Sequence, residues 1–259
     1  MNTADYPGFV EALDRHFPGA MPEGEYIDET AARLSGEGFT NANTIACVAL
    51  CRDEVTRPIF SDVERVWGPA FSFAGLAGMV TAGRTGLSAT IHHAPIENGR
   101  RRFVIYAMAH IAIDAGGTIG RLERPGIPEP SSACGALVAF SEELRKGTLV
   151  VEFDRYDTEQ SLLKHRLLPL IEYGNVPDLV DLTKLTVTAI EEDLREILRS
   201  LEDEWKESGQ AIPADEAIFS GIQIHGPDGA NFVWPVTSHV EVGGDSSDYG
   251  FSTEAPQMS

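Results

Sequence analysis

Two apolar runs without alternation dominate the hydrophobic pattern. Thr44-Ile45-Ala46-Cys47-Val48-Ala49-Leu50 is short and rich in β-branched residues, which predicts a strand buried on both faces of an α/β sheet. Residues 103–113 repeat that pattern at greater length, and Gly116-Gly117 predicts a hairpin turn into Thr118-Ile119-Gly120. Two further strands are expected over 217–224 and 232–240, with Pro227-Asp228-Gly229 turning between them. Helical spacing predicts short helices around Phe9 to Phe17 and Tyr26 to Leu34, stopped by Pro18-Gly19 and by Gly36 and Gly38. A third covers 58–67, with Ile59, Val63, Val66 and Trp67 on one stripe. Longer amphipathic helices are expected over 158–172 and 178–207. The glycine-rich stretch 71–86 predicts a loop or short strand that lines a site.

This alternation gives one α/β domain over 1–242, with N-terminal helices at about 7–36 and a disordered, acidic Gly/Ser/Asp tail over 243–259. Charge narrows its partners. The chain has 259 residues with 20 Lys+Arg against 40 Asp+Glu, a formal charge of −20, which opposes binding to nucleic acid phosphates. No apolar run is long enough for a membrane span, and the first residues carry no secretory pattern. Three cysteines exclude a disulfide scaffold and suit a reducing compartment, so a cytoplasmic protein is expected.

Chemistry concentrates at strand ends. Cys51-Arg52-Asp53-Glu54-Val55-Thr56-Arg57 follows the first buried strand, where open α/β sheets carry their sites. Its bland reading is a buried thiol beside a surface ion pair of Asp53 and Arg57. His110 sits in a strongly apolar strand, either as a core histidine or as a metal ligand. Cys134 lies in Ser131-Ser132-Ala133-Cys134-Gly135-Ala136-Leu137, a segment that also reads as a helix start. Cys51, His110 and Cys134 would form a Cys₂His set with an open fourth position, as in catalytic zinc sites. His92 and His93 are a rival source of ligands, and Cys47 reads as core. Phosphate-binding glycine motifs, HExxH and GxSxG are absent from the sequence.

The order of Cys-Arg-Asp-Glu (51–54), Gly-Met (78–79), Thr-Gly (85–86), His-Ala-Pro (93–95), Ala-His-Ile-Ala-Ile (109–113), Ile-Gly (119–120) and Ser-Ser-Ala-Cys-Gly-Ala-Leu (131–137) resembles the limiting-CO₂-inducible B/C protein family, the θ class. The resemblance implies a central, mostly parallel sheet flanked by helices, similar to β-type carbonic anhydrases. It implies a homodimeric zinc enzyme that hydrates CO₂ reversibly to bicarbonate, and Zn²⁺ held by Cys51, His110 and Cys134. The family's Asp–Arg dyad carries over to Asp53 and Arg57, with Arg52 as the alternative partner. Phe71, Phe73, Leu76 and Met79 become candidates for the apolar CO₂ pocket, and His92 or His93 for the proton relay. Two other readings stand beside the enzyme. One is a catalytically silent zinc-binding relative, acting as an inorganic-carbon sensor or a partner-binding subunit. The other is a metal-free enzyme with Cys51 as nucleophile.

Overall fold

A computed structural model describes residues 5–209 and 213–248. Its strands are β1 (Met21–Pro22), β2 (Thr44–Ala49), β3 (Phe71–Ser72), β4 (Ile96–Glu97), β5 (Arg100–Ala112), β6 (Arg121–Leu122), β7 (Ser131–Ser132), β8 (Ala214–His225), β9 (Asn231–Val242) and β10 (Asp245–Asp248). The helices are α1 (Pro7–His16), α2 (Glu23–Gly36), α3 (Arg57–Trp67), α4 (Gly83–His93), α5 (Gly135–Lys146), α6 (Thr158–Leu167) and α7 (Leu179–Ser208). The main sheet runs β1-β9-β8-β5-β2-β3, with β4 added to β5 and β10 to β9. Its centre is parallel, since β3 pairs with β2, β2 with β5 and β5 with β8 in one direction. The β9, β1, β10 and β4 pairings are antiparallel.

The continuous apolar runs reflect helices on both faces of this sheet. On one face Ala46, Val48, Tyr106 and Phe219 pack with Tyr26 and Ile27 of α2 and Ile59, Val63 and Trp67 of α3. On the other, Cys47, Ala49, Ile105 and Ala107 pack with α1, α4, α5, α6 and α7. The long α7 is capped where Asp178 Oδ1 accepts the Asp181 N–H at 2.9 Å, and Gly209 ends it with φ +68°. Within 158–172 the helix stops at Leu167 and continues as a 3₁₀ turn over Leu168–Leu170. Helix α4 lies in and beyond the stretch expected to be a loop, because its first turn carries Gly83 and Gly86. No helix among the described residues is long and apolar enough to cross a membrane.

The expected disordered tail is corrected in its first part. Gly243 and Gly244 adopt φ +67° and +93°, the left-handed pair that a tight hairpin requires, and return Asp245–Asp248 along β9. Residues 249–259 lie outside the described region.

One buried acid predicts a measurable pH effect. Glu23 is only 4% exposed and accepts Gln223 Nε2 at 2.6 Å, while Gln223 Oε1 has no partner. Burial pushes the Glu23 carboxyl from 4.5 up to about 7 against the opposing Gln223 bond. The folded state therefore holds a proton that the unfolded state has lost, so stability falls as pH rises between these values. Glu23→Gln should remove this slope and let the two amides pair reciprocally. A gain of about 1–3 kcal/mol at pH 8 is expected, read as a higher melting temperature.

Candidate metal centre

Parallel strands bring their carboxyl ends to one edge, and the three candidate ligands meet there. Cys51 lies two residues past the end of β2, His110 two residues before the end of β5 at Ala112, and Cys134 at the N-cap position of α5. All three are buried. One donor atom from each lies within 4.8 Å of the others, and Cys51 Sγ is 3.8 Å from Cys134 Sγ. His110 Nε2 is buried and has no hydrogen-bond partner. An imidazole nitrogen left without a hydrogen-bond partner and facing two sulfurs suits a metal ligand better than a core histidine. The residues fit a metal ion.

The two thiols are within hydrogen-bonding reach of each other. The hydrogen bond from Cys134 draws the Cys51 thiol below its ordinary range, against burial and with help from His110. The same contact, with burial, pushes Cys134 up. Cys51 Sγ also accepts the Ala77 N–H at 3.3 Å. That approach needs Gly78, whose φ is +90° and whose position leaves no room for a Cβ beside the Met108 carbonyl. Cys47 is buried deeper, and burial alone pushes its thiol well above the usual range. It remains core, as expected.

The 51–57 loop folds on itself. Thr56 Oγ1 donates to the Cys51 and Asp53 carbonyls at 3.0 and 2.9 Å, and Asp53 Oδ1 accepts the Val55 N–H at 3.4 Å. The arginine paired with Asp53 is neither Arg57 nor Arg52. Arg124 Nη2 reaches both Asp53 oxygens at 2.8 and 2.9 Å, and its Nε holds Glu54 at 2.7 Å. Arg124 also donates to Ser131 Oγ and to the Ser132 carbonyl, three and two residues before Cys134. One guanidinium thus clamps the loop carrying Cys51 to the loop carrying Cys134. Arg52 instead turns to Glu159, with its Nε 2.9 Å from both carboxylate oxygens. Arg57 opens α3 and is exposed.

A cleft of about 370 Å³ opens beside Cys51 and Asp53, lined by Arg52, Arg57, Val48, Leu50, Phe60, Ser72 and Ala74 among others. None of the four expected pocket residues lines it. Phe73 and Met79 are buried in the core, Phe71 packs against the His93 ring at 5.6 Å, and Leu76 gives its N–H to Glu159. The reason is strand parity: Phe71 is in register with Cys47 and shares its face, so the alternate residues Ser72 and Ala74 turn to the cleft. The histidine pair is also elsewhere. His92 and His93 end α4, donate from Nδ1 to the Ser88 and Ala89 carbonyls, and precede the start of β5. His110 lies at the far end of that strand, so neither is a rival ligand or a neighbour of the centre within the chain.

Behind His110 is a residue that the sequence reading passed over. His225, the last residue of β8, is 2% exposed and accepts or donates at His110 Nδ1 through its Nε2, 3.1 Å away. Its Nδ1 lies 2.8 Å from Asn231 Oδ1. Burial and the adjacent His110 hold the His225 imidazole down at about 3, so it is neutral. Its signal in the sequence is a polar alternation, Gln223 and His225 interleaved with Ile222 and Ile224 at a strand's carboxyl end.

Together these features define an α/β protein with a buried Cys₂His group, able to hold a metal ion, at the carboxyl edge of a parallel sheet. The model of the family described as limiting CO₂-inducible proteins B/C, beta carbonic anhydrases, matches residues 20–242. The chain belongs to this family. It is similar to the crystal structure of PtLCIB4, a homolog of the limiting CO₂-inducible protein LCIB, with a TM-score of 0.78 at 26% identity, over 92% of this chain and 98% of that one. It is also similar to the crystal structure of limiting CO₂-inducible protein LCIB, with a TM-score of 0.73 at 31% identity, over 92% of this chain and 97% of the other. No curated protein sequence matches the chain.

Proposed function

We propose that this chain is a zinc-dependent carbonic anhydrase that interconverts CO₂ and bicarbonate. The observation that carries the reading is the buried, unpartnered Nε2 of His110 converging with the sulfurs of Cys51 and Cys134. Family membership supports the substrate, and the donor set favours zinc over harder cations. Zinc held by Cys51, His110 and Cys134 would supply the Lewis acidity that makes a water a nucleophile near neutral pH.

The chain's own groups do the rest. Asp53, ionised, is only an acceptor; it takes a hydrogen bond from the oxygen nucleophile and so turns a lone pair towards CO₂. Arg124 fixes the carboxylate in that orientation through both oxygens. CO₂, uncharged and weakly polar, rests against Val48, Leu50, Phe60 and Ala74 in the adjoining cleft. Stopped-flow CO₂ hydration on zinc-replete protein, with elemental analysis of the same sample, tests the reading. One zinc per chain with rapid hydration is expected. One zinc without hydration would instead favour the silent sensor or partner-binding relative, and activity without metal would favour the cysteine nucleophile.

We propose further that residues 1–242 act as one domain in the cytoplasm and that two copies associate. Phe153, Tyr156 and Tyr173 are large, exposed aromatics in the 148–176 segment, the kind of surface a second copy would cover. Sedimentation should give twice the 28.1 kDa chain mass, and a monomer at micromolar concentration would refute the association.

A further inference from the structure

We propose that His225 and Asn231 are positioning residues for His110: Asn231 fixes the His225 tautomer, and His225 in turn fixes the tautomer that points an Nε2 lone pair at Cys51 and Cys134. The inference deepens the zinc reading and rests on it.

The geometry runs in one direction. Asn231 Oδ1 faces His225 Nδ1 at 2.8 Å and, being an acceptor, requires a proton there. A neutral imidazole carries one N–H, so His225 Nε2 is left with a lone pair. That atom is 3.1 Å from His110 Nδ1, which must then donate. His110 Nε2 is consequently unprotonated, and it is the buried atom with no other partner. The opposite tautomers would put a proton between His110 and the two sulfurs and close the centre to a cation.

The scaffold holds this line in place. His225 and Asn231 are a cross-strand pair of β8 and β9, joined by a turn in which the Gly226 N–H donates to the Ala230 carbonyl at 2.7 Å. His110 is in register with Gln223, so His225 is its diagonal neighbour two residues along the same face. The two rings meet edge to face at 73° with centroids 5.2 Å apart. Ligating histidines commonly donate to a carboxylate, carbonyl or water. Here the acceptor is a neutral ring. Two thiolates already cancel the charge of a divalent zinc, and a neutral acceptor orients His110 without adding a third negative charge.

Zinc dissociation constants, measured by competition with a chromophoric chelator, test this in full-length protein. His225→Phe keeps a buried ring but removes the acceptor, and should weaken zinc binding by about 10–100-fold. His225→Gln restores an acceptor and should recover most of that loss. Asn231→Leu leaves His225 in contact but frees its tautomer, so binding should weaken in the same direction. Nitrogen-15 NMR of chelator-stripped protein gives a second readout: His110 should be protonated at Nδ1 in the wild type and mixed in Asn231→Leu. Zinc affinity within twofold of wild type in Asn231→Leu, or equal losses in His225→Gln and His225→Phe, overturns the proposal. If His225→Phe does not fold, Asn231→Leu alone decides. A wild type that binds no zinc refutes the metal reading instead, while the His110 tautomer still reports on positioning.

Discussion

Zinc is expected to disappear from the Cys134→Ala protein, and equally from Cys51→Ala and His110→Ala. Each substitution leaves two donors, and the affinity of such a site depends on a closed set of ligands held by the fold. The three come from separate elements: a loop after β2, the carboxyl end of β5 and the start of α5. Among the described residues no fourth donor joins this group within 4.8 Å, His92 and His93 end α4 at the other end of β5, and Cys47 faces the core. Cys47→Ala is therefore the control. It removes a buried thiol of the same size and should keep one zinc per chain. Elemental analysis after exhaustive dialysis reads the result directly, with circular dichroism confirming that each variant is folded. Full zinc in Cys134→Ala would mean that the metal, if present, is held elsewhere, and the candidate centre would fall with it.

How much of this was legible in the sequence depends on the range of each interaction. Strands β2 and β5 are explicit in their unbroken apolar runs, because burial between two helical layers leaves no polar face to interrupt them. The three candidate ligands emerged from an ordered set of short motifs. The Asp53 partner did not, because spacing favours neighbours: Arg52 and Arg57 flank Asp53, yet the arginine that binds it is 71 residues away. Arg57 is committed to opening α3 and Arg52 to Glu159. The pocket failed by one residue of parity. In a strand that error moves every side chain to the opposite face, so the bulky Phe71 and Phe73 went to the core while Ser72 and Ala74 reached the cleft. His225 was hidden for a related reason, as a polar residue inside a strand that reads as apolar until its faces are separated.

The largest effect on turnover is expected at Asp53. In the proposed reaction its carboxylate is an acceptor whose direction is fixed by Arg124 through both oxygens. Asp53→Asn keeps the shape and one acceptor, and the amide oxygen can still cap the Val55 N–H as the carboxylate does. It adds an amide that donates, so the nucleophile is no longer restricted to one orientation, and Arg124 loses an anionic partner. Losing such a positioned group costs on the order of 10²–10⁴ in rate. Zinc content should stay at one per chain, since Asp53 is outside the Cys51, His110 and Cys134 set. Arg124→Ala should also lose activity, because it releases Asp53 and unties Glu54 and the Ser131 loop. Arg124→Lys keeps the charge without the bidentate fork and should fall between the two. Arg57→Ala separates this account from one in which the adjacent arginine serves the dyad: Arg57 makes no contact with the Asp53 carboxylate among the described hydrogen bonds, so its loss should leave most of the rate. Hydration rates for the four variants, measured beside zinc content, decide the matter. Near-wild-type turnover in Asp53→Asn would reduce the Cys₂His group to a structural metal site, and a collapse in Arg57→Ala with Arg124→Ala intact would return the dyad to the 51–57 loop.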